Sequence, residues 1–300
     1  MSTMVTEITD GTDLTGSESE LGRRARVYRR RRKAWLWIAR IAFAVFVIGG
    51  WQLFTTIGWV DPFFFGKPSL IWQSLVHLFT QGTAFGSIWT DIGVTLREAV
   101  YGFFLGALTG VVLGLVLGQI RFLSDVLSPY IKIVNAIPRI ILGSIFLVAF
   151  GLGTFPKVLL AAVLVFFIVF FNAFQGVREV DPNLVANVRV LGASPLQVAR
   201  HVTIPSALTW IIASLHTAFG FAIIGALVAE VLGSQRGIGL VIVQAQGRLD
   251  ANTVFAGMAI MCAITLVAEF LLTLLEKRVL SWRPPSQSEA EQVSQMSALP

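Results

Sequence analysis

With 300 residues, 55% of them hydrophobic and 13% charged, and a mean hydropathy of +0.75, the chain carries more apolar surface than a water-soluble core absorbs. This excludes an ordinary soluble domain and points to a multi-spanning membrane protein. The net charge of +6 is not a spread nucleic-acid surface, because nine of the 23 basic residues lie between Arg23 and Arg40, beside the first apolar run.

Residues 1–33, polar and then Arg-rich, are expected to be a disordered cytoplasmic N-terminus. The apolar stretch from Ile41 to Trp59 is longer than the core of a signal peptide and lacks a small-residue cleavage site, so it reads as a retained span. Further apolar segments follow near 93–119, 124–150, 156–174, 207–231 and 252–276, which makes six helical spans in a membrane domain of residues 34–283. With both termini in the cytoplasm, fifteen basic residues lie inside against four outside, Lys67, Lys157, Arg236 and Arg248, with four more in spans. Residues 284–300 are expected to be a disordered tail.

The second span repeats Gly102, Gly106, Gly110, Gly114 and Gly118, a small-residue stripe that lets another helix approach closely. The third carries Pro129 and Pro138 with Lys132 and Arg139, so a bent or broken helix is expected. Between the first two spans, Asp61 to Trp89 is too interrupted to cross a membrane and is placed along the outer interface. Phe63, Phe64 and Phe65 are its expected anchors. Cys262 has no partner cysteine and is expected to be a buried small hydrophobe.

The segment Gly176–Ser206, between the fourth and fifth spans, is the most patterned on the chain. Asp181 before Pro182 predicts a capped helix start, and Gly192 predicts its end. On that helix Leu184, Val185, Val188 and Leu191 share an apolar face that needs a cover. A second helix is predicted from Ser194, with Pro195 first and Gln197 completing a capping box, and Pro205 is expected to close it. Such a glycine elbow suits docking into a partner's groove. A helix lying on the membrane surface, held by Arg189 and Arg200, is the alternative.

Gly192, nine residues, then Val202-Thr203-Ile204-Pro205 resembles the cytoplasmic Glu-Ala-Ala loop of bacterial ABC importer permeases. Gly66-Lys67-Pro68-Ser69, Ala136-Ile137-Pro138-Arg139 and Ala229-Glu230-Val231-Leu232-Gly233 resemble the nitrate, sulfonate and taurine branch, so the likeness covers roughly residues 60–284. The family pattern is broken where Ala186-Asn187-Val188 stands for Glu-Ala-Ala. The resemblance implies an all-α membrane protein of the type I importer permease fold, with coupling helices between spans 4 and 5. It implies a bacterial inner-membrane location and a pathway for a small anionic solute of the sulfonate, nitrate or taurine type. Two permease copies as a homodimer, two ABC ATPase subunits and an extracytoplasmic substrate-binding protein would make up the assembly. The implied ATPase-coupling residues are Asp181, Pro182, Leu184, Val185, Val188, Arg189, Leu191, Gly192, Ser194 and Pro205. Pro138, Ser214, Thr217, Phe221 and Ile224 are the implied pathway lining.

No phosphate-binding Gly-x4-Gly-Lys-Ser/Thr loop occurs, and the three histidines lie in separate segments, so no enzyme chemistry, cofactor or metal is expected and ATP would be used by another chain. Charged groups at membrane depth are Arg97, Glu98, Lys132, Arg139, Glu230 and Glu269. Glu230 reads equally as an interfacial cap and as part of a gate. Glu269 is expected to pair with Lys132 or Arg139. An ion-gradient-driven carrier would rest on such a carboxylate and would not need the elbow. A non-transporting scaffold would need neither.

Overall fold

The structure, a computed structural model, describes residues 12–279. Among them are twelve α-helices and one π-helical turn, in two compact units that divide after Leu70. Five helices are long and apolar enough to cross a membrane, and a helix pair bent by 83° makes up to six spans.

The first unit holds α1 (Thr12–Ile57), α2 (Pro62–Phe65) and the start of α3 (Pro68–Thr80). Helix α1 takes in residues 12–33, where no fold was expected; its Arg and Lys residues are good helix formers, and the charged turns continue the register of the apolar ones. The expectations for residues 1–11 and for the tail from 284 lie outside the described residues. The Gln52 side-chain Oε1 accepts from the Ser69 backbone N–H at 3.1 Å. Phe63, Phe64 and Phe65 are exposed.

In the second unit, α4 (Ile88–Gln119) lies against α7 (Thr154–Arg178) along the glycine stripe. A Cβ at Gly110 would come 2.9 Å from the Phe166 carbonyl oxygen, and one at Gly114 2.7 Å from the Ala173 Cβ. The stripe is a packing seam, and α7 supplies Ala161, Val165, Val169 and Ala173, all fully buried, as its other half. Helix α10 (Ile204–Leu232) packs on the same pair, with Gly225 over Ala161.

The third span breaks as expected, into α5 (Arg121–Ala136) and α6 (Arg139–Phe150), with the 83° bend at Ile137-Pro138. Proline has no N–H to give to a continuous helix, and the residue before it is pushed to extended backbone. The inner loop carries α8 (Pro182–Val190) and α9 (Pro195–Val198). A short apolar helix, α11 (Ile238–Gly247), separates α10 from the last span, α12 (Ala251–Val279), and has no counterpart in the sequence reading. Cys262 is exposed, not buried. It shares an outward apolar face of α12 with Met258 and Leu266, and a bilayer removes the need to bury such a face.

Candidate functional site

Helix α8 is bounded at both ends by its own residues. Asp181 Oδ1 accepts from the Asn183 N–H at 2.8 Å, and Pro182 occupies the first turn, where no N–H is needed. At the other end the Gly192 N–H donates to Arg189 O at 2.9 Å and the Ala193 N–H to Val188 O at 3.3 Å. These two bonds form a Schellman motif, which requires the left-handed backbone that Gly192 adopts at φ +86°. The capping box follows. Gln197 Oε1 accepts from the Ser194 N–H at 2.7 Å, while Ser194 Oγ accepts from the Gln197 N–H at 3.4 Å.

Pro205 does not close the second helix. A π-helical turn, Ala199–Thr203, joins α9 to α10, and the Ile204 N–H reaches back five residues to Ala199 O. The widened turn takes the proline ring without a break. Residues 195–232 are therefore one apolar rod of 38 residues, from the elbow to the far end of the fifth span.

The apolar stripe on α8 divides. Leu184 and Leu191 turn outward, with Leu191 85% exposed, and Val188 beside them is half-buried. Val185 and Arg189 instead face the chain's own cavity of about 710 Å³, together with Pro182, Ala186, Val177, Arg178 and Asp125. The difference is one of helical phase, since Pro182, Val185, Ala186 and Arg189 share the inner face. Beyond the elbow Leu196 is 77% exposed and extends the outward apolar surface. Arg178 ties the end of α7 to α5: its Nη2 donates to Ser124 Oγ at 2.9 Å, and its guanidinium lies 4.6 Å from the Phe174 ring centroid.

At the opposite end of the rod, Glu230 is buried and closes the start of α11. Its carboxylate accepts from Thr95 Oγ1 and from the Gly239 N–H, each at 2.7 Å. Thr95 Oγ1 accepts from the Ile238 N–H at 3.0 Å and Asp91 Oδ1 from the Gly237 N–H at 3.2 Å, so side chains of α4 and α10 hold three successive amides. A Cβ at Gly237 would collide with the Glu230 carboxylate. Lys157, counted among the outside basic residues, is buried in the first turn of α7. Its Nζ lies 3.3 Å from Glu98 Oε1 and donates to Ser234 Oγ at 2.7 Å. The partners are far apart in sequence, and only the α4–α7 seam brings them together. Arg97 is exposed.

Midway along, Glu269 pairs with neither Lys132 nor Arg139. Its Oε1 lies 2.9 Å from His216 Nδ1, across from α12 to α10. Ser214 is buried and donates to its own Ile211 carbonyl at 2.6 Å, so it lines no open surface. Thr217 and Ile224 are exposed and Phe221 is half-buried on one face of α10, and Pro138 is exposed at the α5–α6 break.

The sequence pattern of a family described as binding-protein-dependent transport system inner membrane component matches residues 106–281. A permease assigned to aliphatic sulfonates transport in Bacillus subtilis (strain 168) is 30% identical over 252 residues, 84% of this chain and 90% of that protein. The taurine transport system permease protein of Escherichia coli (strain K12) is 26% identical over 84% of this chain and 94% of its own length. The riboflavin transport system permease protein of Chloroflexus aurantiacus is 28% identical over 77% and 85%. Among solved structures, an inward-facing form of the MetNI methionine ABC transporter aligns with a TM-score of 0.54 at 18% identity, over 64% of this chain and 94% of that one, a likeness of fold.

Proposed function

The chain belongs to the family of binding-protein-dependent transport system inner membrane components and is a permease of an ATP-driven importer; from that premise we propose that α8 and the elbow at Gly192 form the surface on which a separate ATPase subunit pushes. The observation that carries this reading is an independently capped helix with Leu184 and Leu191 exposed on its outward side and Val188 half-buried between them, on a loop outside the spans. A short rigid helix with an apolar face fits a groove on a partner. Asp181, Pro182, Gly192 and Ser194 set its shape. Arg189 and Val185 support it from the cavity behind, and Pro205 sits where the elbow becomes the span.

The same reading gives the rod a task. Displacement of the elbow is passed along residues 195–232 as one body, because no cap or break interrupts them, and it arrives at Glu230 and α11. Two permease copies, two ATPases and an extracytoplasmic binding protein complete the proposed assembly, with both termini in the cytoplasm. With Lys157 buried in an ion pair, Lys67, Arg236 and Arg248 are the outer basic residues, and the inside excess grows. ATP is hydrolysed by the partner, and this chain does no chemistry. The solute class is a small anion of the sulfonate or taurine type, in keeping with the relatives named for those solutes. Thr217, Phe221, Ile224 and Pro138 are assigned to the pathway between copies, and Ser214 is not. Family membership sets aside the ion-gradient carrier.

Paired Leu184→Asp and Val188→Asp substitutions place carboxylates on the apolar stripe, one exposed and one half-buried, while leaving the caps alone. ATPase recovered with the purified permease is expected to fall at least roughly tenfold, the effect of losing ~1.4 kcal/mol or more of interface energy. Membrane insertion should be unchanged. Undiminished ATPase recovery would place α8 on the lipid surface instead.

A further inference from the structure

Helix α5 is amphipathic inside an apolar span. Asp125, Ser128, Lys132 and Asn135 recur at intervals of three, four and three, and Arg139 follows four residues later, across the break. Asp125, Lys132 and Asn135 are exposed, Ser128 and Arg139 half-buried. Phe122, Val126, Tyr130 and Ile133 lie on the opposite side and are exposed as well. A polar stripe at membrane depth needs water or a protein partner, whereas the apolar side meets lipid.

The stripe is not electrically neutral. Toward the break it carries Lys132 and Arg139, with Asp125 as its single acid. Arg139 is held in place: its Nη2 donates to Asn135 Oδ1 at 2.6 Å and its Cζ lies 5.2 Å from the centroid of Phe167, a buried ring on α7. Among the described residues no carboxylate forms an ion pair with it, and its buried Nε has no hydrogen-bond partner. A guanidinium fixed at membrane depth without a counter-charge favours an anion that comes within reach.

We propose that the Asp125–Asn135 stripe lines the inner half of the solute pathway and that Arg139 selects for anions, receiving the oxyanion head (sulfonate, carboxylate or phosphonate) of a small organic solute as it passes the break. This rests on reading the chain as the pathway subunit of an importer. Two oxygens of such a head match the planar fork of the guanidinium, which a lysine ammonium does not reproduce in shape but does in charge.

The test uses the permease assembled with its ATPase in proteoliposomes without nucleotide, on a Cys262→Ala background. Ser128→Cys is reacted with sulfonatoethyl methanethiosulfonate, whose head is a sulfonate, and with its trimethylammonioethyl counterpart. The anionic reagent is expected to modify the cysteine, and Arg139→Gln to slow that reaction by roughly tenfold without slowing the cationic reagent. Arg139→Lys should keep most of the anionic rate, and Tyr130→Cys, on the opposite side, should resist both reagents. A cysteine at Ser128 closed to both reagents, or an anionic rate untouched by Arg139→Gln and Arg139→Met alike, would overturn the proposal. If the ATPase still assembles with those variants, the importer reading survives that result. A Cys262→Ala permease that never assembles with the ATPase would sink the reading itself.

Discussion

Lys157→Ala is expected to destabilise the permease by about 3–5 kcal/mol, the cost of removing one member of a buried ion pair. The Glu98 side chain is 0% exposed and that of Lys157 4%, so no water replaces the missing ammonium. The same substitution removes the donor to Ser234, whose hydroxyl holds the turn before α11 through the Arg236 carbonyl. The measurement is the midpoint of thermal unfolding in detergent, read beside the yield of monodisperse protein. Lys157→Met combined with Glu98→Gln removes both charges and should recover much of the loss, because replacing a pair costs far less than orphaning one partner. A Lys157→Ala protein that melts with the parent would show that the pair is not closed to water.

Gly106→Val tests the seam. A Cβ at Gly106 would collide with the Ala162 carbonyl oxygen and lie 2.8 Å from the Val165 Cβ and 3.0 Å from the Phe166 amide. Two of these three neighbours are backbone atoms, so no rotamer change relieves the contact and α4 must move off α7. Overpacking typically costs ~1–3 kcal/mol where side chains can adjust, and the expected cost here reaches at least the top of that range. Gly93→Ala is the control, since nothing lies within 4 Å of its added Cβ and alanine is the better helix former. Loss of folded protein for Gly106→Val with none for Gly93→Ala is the expected outcome. Equal tolerance of both would mean that the helices separate more easily than their packing implies.

Features set by local chemistry were legible in the sequence. The caps at Asp181 and Ser194, the left-handed turn at Gly192 and the break at Pro138 each depend on a few neighbouring residues, and each is found where the spacing places it. The glycine stripe was legible because a period of four on a helix has one packing consequence. Pro205 misled, since a proline reads as a stop and the π turn that accommodates it leaves no mark in the residue pattern. Lys157 reads as an outside cation because its partner is 59 residues away. Glu269 looked like a partner for Lys132 or Arg139, and only the crossing of α10 and α12 shows His216 to be the group it meets. Helix α11 escaped notice because ten residues fall short of a span and its N-terminal amides are satisfied by Asp91, Thr95 and Glu230 rather than by a cap of its own.

The two faces of α8 supply the most direct test of how this permease is driven. A photo-crosslinking residue is placed at Leu191, which faces outward, and separately at Val185, which faces the cavity behind the helix. In a complex that hydrolyses ATP, Leu191 is expected to give an adduct with the ATPase and Val185 an adduct within the permease. An ATPase adduct from Val185 alone, or lipid adducts from Leu191 in an active complex, would contradict the account.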